Sequence, residues 1–306
     1  MPVVSVINYK GGVGKTTTTA NLAAELAWRG KRVLLLDLDA QASLTFSFVQ
    51  PDYWNEHLAE DQTIKSWFDS FSSGTPFPIE QLIFQPERTR QRLDGRGELH
   101  LVSSHLGLIN VDLELATKLG GATLKQAKTS FLRVHQRLKN GLEDLVDDFD
   151  LVLIDCPPNF NVVTKTAIVA SDKILVPAKP DYLSTLGIDY LRRNLNDLVE
   201  PFNEYVTMDN DSKSETIDPT LLGVIFTMIQ VQSQQPISTQ RPYMAQTKAL
   251  GLPVFDAWIR ENKTLFGDAP EYGVPVVLTG QSPGTYQNVV NELEEFVTEF
   301  QERLDE

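Results

Sequence analysis

The sequence predicts an α/β protein: a mainly parallel, twisted sheet with helices on both faces. Three observations carry that expectation. Short, nearly continuous apolar runs such as "VVSVI", "RVLLLDL" and "DLVLID" recur along the chain, separated by longer amphipathic stretches. A strand apolar along its whole length is buried on both faces, which is the condition of a parallel strand covered by helices. A glycine-rich segment, "NYKGGVGKTTTT", joins the first apolar run to the first helical stretch, and aspartates end two of the later runs.

In chain order, residues 3–7 form the first strand, and a helix runs from Lys15 to about Trp28. Residues 32–38 are the second strand. Segments 99–104, 150–155, 173–178 and 221–226 read likewise, with helices between most of them, for example around 124–145 and 183–199. The last segment, "YQNVVNELEEFVTEFQERLDE", sets Val289, Val290, Leu293, Phe296, Val297, Phe300 and Leu304 on one helical face. Its polar face is acidic and anionic lipid would repel it, so a helix closing the sheet is expected and no membrane contact. Residues 50–97, rich in Pro, Ser, aromatic residues and Arg, and the polar residues 207–219 read as insertions or long loops. Strands resume after each, so residues 1–306 read as a single domain.

The bulk composition sets limits. With 42% hydrophobic and 22% charged residues, the chain has the make-up of a soluble globular protein, and 306 residues bury a sizeable core. No apolar run approaches the roughly 18 residues of a membrane span. The given sequence runs from Met1 directly into its glycine loop, so no signal peptide is expected. One cysteine, Cys156, excludes an internal disulfide, and a cytoplasmic location is expected. The net charge of −14 is uneven: residues 1–150 carry 16 Lys and Arg against 19 Asp and Glu, residues 151–306 carry 11 against 22. An acidic chain does not advertise nucleic-acid binding, although a local basic patch can provide it.

The glycine-rich segment carries the chemistry. A phosphate-binding loop reads G-x-x-x-x-G-K-[ST], and Gly14, Lys15 and Thr16 fit its end. Tyr9 holds the place of the first glycine, and Lys10 follows it as a second lysine. A strand before the loop and a helix after it are the required context. Gly11, Gly12 and Gly14 let backbone N–H groups converge on phosphate oxygens, so residues 11–17, Val13 and Thr17 included, are the expected cradle. Lys15 would reach the β and γ phosphates, and the Thr16 hydroxyl would ligate Mg²⁺. Asp37 and Asp39 come at the end of the second strand, on the carboxyl side of the sheet where ligands of open α/β sheets lie. Asp155 ends an apolar strand, as does the aspartate that holds Mg²⁺ in phosphoryl-transfer enzymes. The plainer alternatives are a ligand-free turn for the loop and capping or turn roles for the acids. Cys156 reads as a small buried residue, not a reactive thiol.

The stretch "KGGVGKTTTTANLA" resembles the deviant Walker A signature of the ParA/MinD family of P-loop ATPases, and the ParA/Soj-type partition ATPases most of all. The resemblance implies a P-loop NTPase fold and catalytic roles for Lys10, Lys15 and Asp39. In that family the early lysine reaches across a dimer interface to the partner's phosphates, which here is Lys10, so ATP would bridge two subunits. "DLDAQAS" resembles the switch segment "DxDPQGN", which implies that Asp39 orients the attacking water and that Asp37 supports the Mg²⁺ shell with Thr16, Asp39 and Asp155. Ala40 and Ala42 stand where that segment has proline and glycine, and Asn159 and Asn161 replace the Ser and Gly that usually follow Asp155. "TMIQVQ" corresponds to an adenine-facing "TMYDxR", implying adenine near Thr227 and Met228, with Gln230 and Gln232 for the charged pair. "IRENKTLFGDAPEYGVPVV" resembles a further family segment, with Asp268 for its Glu.

The resemblance implies Mg-ATP as cofactor, a homodimer in the ATP state, slow hydrolysis stimulated by a partner protein, and partition of plasmid or chromosome DNA or positioning of another cargo. Weak non-specific DNA binding, with association to the nucleoid, would use Arg88, Arg90, Arg92 and Arg96, or Lys118, Lys125, Lys128, Arg133, Arg137 and Lys139, or Arg241, Lys248, Arg260 and Lys263. A scaffold or regulatory ATPase with a protein cargo would share every motif. An amide ligase of the cobyrinate type shares the fold and needs a carboxylate substrate. A reductase like the nitrogenase iron protein needs two cysteines per subunit, and this chain has one.

Overall fold

The computed structural model describes residues 1–208, 214–280 and 284–306. Its strands are β1 (Val3–Val6), β2 (Arg32–Asp37), β3 (Glu98–Val102), β4 (Leu151–Asp155), β5 (Lys173–Ala178), β6 (Thr220–Ile229), β7 (Val231–Gln232), β8 (Gln235–Pro236) and β9 (Val254–Arg260). Seven of them make one parallel sheet in the order β3-β2-β4-β1-β5-β6-β9, while β7 and β8 pair antiparallel in a two-residue ladder. The helices are α1 (Lys15–Trp28), α2 (Ser43–Phe48), α3 (Pro51–His57), α4 (Ile64–Ser73), α5 (Glu87–Leu93), α6 (Leu108–Thr117), α7 (Leu124–His135), α8 (Arg137–Leu142), α9 (Val162–Ala170), α10 (Tyr182–Met208), α11 (Arg241–Ala249), α12 (Lys263–Tyr272) and α13 (Thr285–Asp305).

The central strands β1 and β4 are buried at every residue, as strands covered on both faces must be. Alternate residues therefore feed two cores. Val3, Ile7, Leu34, Leu36 and Ile154 pack with Trp67 and Phe68 of α4, Ile168 of α9 and Phe202 of α10. Val4, Val6, Leu35 and Leu153 pack with Leu22 and Leu26 of α1 and with Phe296 and Phe300 of α13. The α13 face expected from the sequence is the buried one. Among the described residues no helix is long and apolar enough to cross a membrane.

The structure corrects the sequence reading in three places. Of the two readings of residues 50–97, an insertion or a long loop, the long loop does not hold: the segment is mostly helical. Ile64, Trp67 and Phe68 recur at helical spacing on α4 and are at most 1% exposed, and the Thr63 side chain caps the helix by accepting from the Ser66 N–H. The helix expected over 124–145 breaks into α7, α8 and a 3₁₀ turn, and Gly141 there lets Trp67 approach so closely that a Cβ would lie 2.6 Å from its ring. Strand β9 carries Asp256 and Arg260 and lacks a continuous apolar run, so hydropathy missed it. In the expected 207–219 loop, residues 209–213 lie outside the described residues. Ile217 is buried there, and its N–H and C=O both bond the Asn203 side-chain amide at 2.8 Å.

β9 is an edge strand, and unpaired edge amides invite association. α13 covers them with side chains. Glu299 accepts from the N–H groups of Asp256 and Ala257 at 2.9–3.0 Å, and Glu292 accepts from the Arg260 N–H at 3.0 Å. Arg303 donates to the carbonyls of Leu222 and Val254.

Candidate functional site

The sheet register builds the site. Asp37 ends β2 and Asp155 ends β4, and in this parallel pair the two are direct partners across the ladder. Val6, which ends β1, is the neighbour of Asp155 on its other side, so the loop that follows β1 starts beside both carboxylates. Within that loop Gly12 and Gly14 take left-handed φ values of 67° and 77°, and a Cβ at Gly11 or Gly12 would meet nothing within 4 Å. The loop is thus an open concavity of backbone ending at the N-terminus of α1, a geometry suited to an anion.

Hydrogen bonds fix the charged groups. Thr16 donates through Oγ1 to Asp155 Oδ2 at 2.7 Å. Asp37 Oδ2 accepts from the backbone N–H and the hydroxyl of Thr45, each at 2.8 Å, and its Oδ1 accepts from the Asp39 N–H at 3.1 Å. Asp39 is partly exposed and takes the Gln41 N–H on Oδ1 at 3.0 Å. Burial, and then the charge of Asp155, push the Asp37 carboxyl up to about 8. Burial likewise pushes Asp155 up to about 7, against the Thr16 hydrogen bond and the charge of Lys15. Burial lowers the Lys15 ammonium, and the charges of Asp155 and Asp39 work against that.

Two buried carboxylates side by side, both held toward their neutral forms, make a place short of positive charge. Among the described residues no three or more His, Cys, Asp or Glu gather into a metal cage. The donor set fits Mg²⁺, which takes one or two protein oxygens and completes its octahedron with phosphate and water.

Lys10 lies apart from this cluster. Its Nζ donates to Asp181 Oδ2 at 2.6 Å and sits 3.5 Å from Ser184 Oγ, at the start of α10. Tyr9, in the place of a glycine, packs its ring 5.9 Å from Phe160 and 5.3 Å from Tyr190. The Tyr9 ring is thus held between α10 and the segment ahead of α9, and the loop lacks the flexibility a glycine would bring there.

Beside the loop a cavity of about 400 Å³ is lined by Gly14, Thr17, Thr227 and Met228, as the sequence reading expects, and by Lys179, Arg260, Glu261, Asn262, Lys263 and Phe266, which that reading assigned no role here. Arg260 and Lys263 had been considered only as DNA contacts. The structure pairs Arg260 with Glu292 at 2.6 Å, both largely buried, so it does not belong to an exposed basic patch. The late lysines are paired as well, Lys248 with Asp256 at 2.7 Å and Lys263 with Glu261 at 3.7 Å. The signal for the cavity wall was Asn262, whose side chain caps α12 by accepting from the Leu265 N–H at 3.0 Å. Thr227 spends its hydroxyl on the Val13 carbonyl at 2.7 Å, holding the loop against β6, while Val13 itself is fully buried. Met228 takes a left-handed φ of 54°. Gln230 is held by its neighbours, its N–H bonding Gln240 Oε1 at 2.9 Å and its Nε2 donating to Glu261 at 3.3 Å.

The departures from the family pattern have local causes. Asn161 caps α9, accepting from the Thr164 N–H at 2.9 Å. Ala42 has a φ of 53°, the left-handed conformation that the glycine of the pattern adopts freely. Cys156 is fully buried, and burial raises its thiol pKa, so it is not a reactive group.

Known proteins share this architecture. The AAA_31 family, described as AAA domain, matches residues 1–208. The sporulation initiation inhibitor protein Soj of Bacillus subtilis is 28% identical over 280 residues, covering 90% of each chain. A Rhizobium rhizogenes protein named as a replication protein A is 32% identical over 204 residues, and the chain spans 43% of its length. Apo McdA of Cyanothece superposes with a TM-score of 0.69 over 99% of each chain at 21% identity, a likeness of fold. Cobyrinic acid a,c-diamide synthase of Mycobacterium smegmatis, solved with an ATP analogue and magnesium, superposes at 0.63 over 89% of this chain and 93% of its own, with 25% identity. The likeness to Soj, and to the chromosome partitioning protein ParA of Myxococcus xanthus at 25% identity, is that of the ParA/MinD type of P-loop ATPase. The AAA_31 match spans the phosphate loop, Asp37, Asp155 and the Lys10–Asp181 contact, and by that match the chain belongs to the AAA_31 family of AAA domains.

Proposed function

We propose that this chain binds Mg-ATP, pairs with a second copy around the nucleotide, and hydrolyses ATP slowly to position a DNA or protein cargo in the cytoplasm. The carrying observation is the division of labour between the lysines. Lys15 is buried in its own loop, where the charges of Asp155 and Asp39 act on it, whereas the Lys10 ammonium is turned away to Asp181. A lysine so placed is available to phosphates held by another subunit, where added positive charge favours phosphoryl transfer.

Bound Mg²⁺ would neutralise charge on the phosphates. The chain's own residues do the rest. Backbone N–H groups of residues 11–17 cradle the phosphates, Lys15 binds them, and Thr16 with Asp155 and Asp37 holds the cation. Asp39 positions the water, and the cavity at Thr227 and Met228 takes the base. Both cores pack on one sheet, which supports a chain acting as a single domain.

Lys15→Ala should abolish ATP binding in calorimetry, because a direct phosphate contact is gone. Asp39→Ala should bind ATP and release little phosphate. Normal turnover in the Asp39 variant would remove its assigned role.

Two observations bear on the cargo. Arg92, Lys125 and Arg133 have no ion-pair partner among the described residues, which supports a weak, salt-sensitive contact with duplex DNA. The pairing of Arg260, Lys248 and Lys263 with acids favours a protein cargo instead. Retardation of duplex DNA by the ATP-loaded protein at low salt separates the two. The likeness to an amide synthase supports a third reading, which fails if ATP turns over without any carboxylate substrate.

A further inference from the structure

The segment from Asp37 to Thr45 carries Asp37, which ends β2, and Asp39 just after it, and it is bent at a costly place. Ala42 sits in the left-handed region at φ 53° and is 3% exposed. An L-residue with a Cβ persists there only when its surroundings over-determine it. The turn's own bond, from the Ala42 N–H to the Asp39 carbonyl at 2.8 Å, is one restraint. The second comes from elsewhere in the fold. Ser104, two residues past the end of β3 and fully buried, donates its hydroxyl to the same Asp39 carbonyl at 2.7 Å.

All three hydrogen-bonding groups of Ser104 point into this segment or link it outward. Its N–H donates to Thr45 Oγ1 at 2.9 Å, and that hydroxyl in turn donates to Asp37 Oδ2 at 2.8 Å. Its carbonyl accepts from Trp54 Nε1 at 3.2 Å, which brings α3 into the same network. Ser104 thus touches the backbone of one acid and, through Thr45, the carboxylate of the other. It contacts no part of the phosphate loop in any of these bonds.

We propose that Ser104 is a positioning residue for ATP hydrolysis. It clamps the Asp39 carbonyl, holds the turn in a conformation that the Ala42 Cβ opposes, and so sets where the Asp39 carboxylate stands. Trp54 fixes Ser104 from the other side. A serine anchored by its main chain to both α2 and α3 is a stiffer clamp than the turn's own amide bond, and where alanine replaces glycine the extra restraint is needed. The inference rests on the role given to Asp39 above.

Ser104→Ala removes one hydroxyl from a site that keeps its shape. Misplacing a catalytic group by a fraction of an ångström costs on the order of tenfold in rate. Phosphate release should therefore fall about tenfold in Ser104→Ala, while ATP affinity, carried by the loop, changes less than about threefold. In the apo protein, amide exchange at Ala42 and Thr45 should quicken, a readout that needs no nucleotide. Trp54→Phe, which keeps an aromatic ring of smaller size and loses the donor, should give a smaller shift in the same direction.

Ala42→Gly supplies the deciding arm. By relieving the strain it should restore most of the lost rate and protection when added to Ser104→Ala, so the two substitutions are coupled. Wild-type phosphate release and wild-type Ala42 exchange in Ser104→Ala, with Asp39→Ala inactive, would overturn the proposal. Equal loss of ATP binding and hydrolysis, unrelieved by Ala42→Gly, would make Ser104 merely structural and overturn it too. Normal turnover in Asp39→Ala would instead defeat the reading of Asp39, and amide exchange alone would then judge the clamp.

Discussion

Asp37→Asn should make the apo protein more stable and the ATPase worse. Asp37 is fully buried, and burial with the neighbouring Asp155 raises its carboxyl from an ordinary 3.8 to about 8. A group raised in the fold contributes stability that is fully present below 3.8 and lost as pH rises toward about 8, because the native state binds the extra proton across that window. Each unit of pH in the window is worth about 1.4 kcal/mol, so between about pH 5.5 and about pH 8 the wild type loses about 3 kcal/mol through this group. Asparagine has no such loss. Its amide oxygen can still accept from Thr45, and its NH₂ opposes the Asp39 N–H at a cost of about 1 kcal/mol. Urea unfolding of both proteins with chelator and no nucleotide should therefore show a gap that widens with pH by about 3 kcal/mol, in the variant's favour. Mg-ATP should narrow the gap by stabilising the wild type more than the variant. A gap independent of pH would refute the burial argument, and an undiminished Mg-ATP response in the variant would remove Asp37 from the cation's shell.

Lys10→Ala should leave melting almost unchanged, since its pair with Asp181 is partly exposed and worth at most about 1 kcal/mol, while light scattering with a non-hydrolysable ATP analogue should show a monomer in place of the wild-type dimer. Ala42→Gly alone should raise stability by about 1 kcal/mol in chemical denaturation, the left-handed penalty less the entropy glycine adds to the unfolded chain. Glu299→Ala uncovers the Asp256 and Ala257 amides on the β9 edge and should cost about 2 kcal/mol, with concentration-dependent self-association in sedimentation. His135 is fully buried and held to about 4, below its ordinary 6.5, chiefly by burial, so the native state favours the neutral ring. Its contribution is present above 6.5 and lost as pH falls toward about 4, and unfolding curves of His135→Leu should lack that acid-side slope of about 3 kcal/mol.

What the sequence determined by itself was local. Strands buried on both faces are apolar from end to end, so β1, β2, β4, β5 and β6 announced themselves, and the α13 stripe did so through its period. The phosphate loop was legible because its chemistry resides in consecutive backbone and side-chain groups, and Asp37 and Asp155 because each ends an apolar strand. The features that only tertiary structure decided depend on groups distant in the chain. β9 escaped notice because an edge strand needs no apolar face on its outer side, and its protection comes from Glu292 and Glu299 on a helix some thirty to forty residues later. Residues 50–97 read as loop because their aromatic residues are core only once α4 lies on the sheet. The cavity beside the phosphate loop joins α1, β6 and α12, and no spacing rule links Thr17 to Phe266. The shared register of Asp37 and Asp155 depends on strand order, which hydropathy does not encode, and that adjacency in a dry interior is what raises both carboxyls. Ser104 carried no signal at all, since a serine after a strand is commonplace and its meaning lies in the strained turn it meets across the fold.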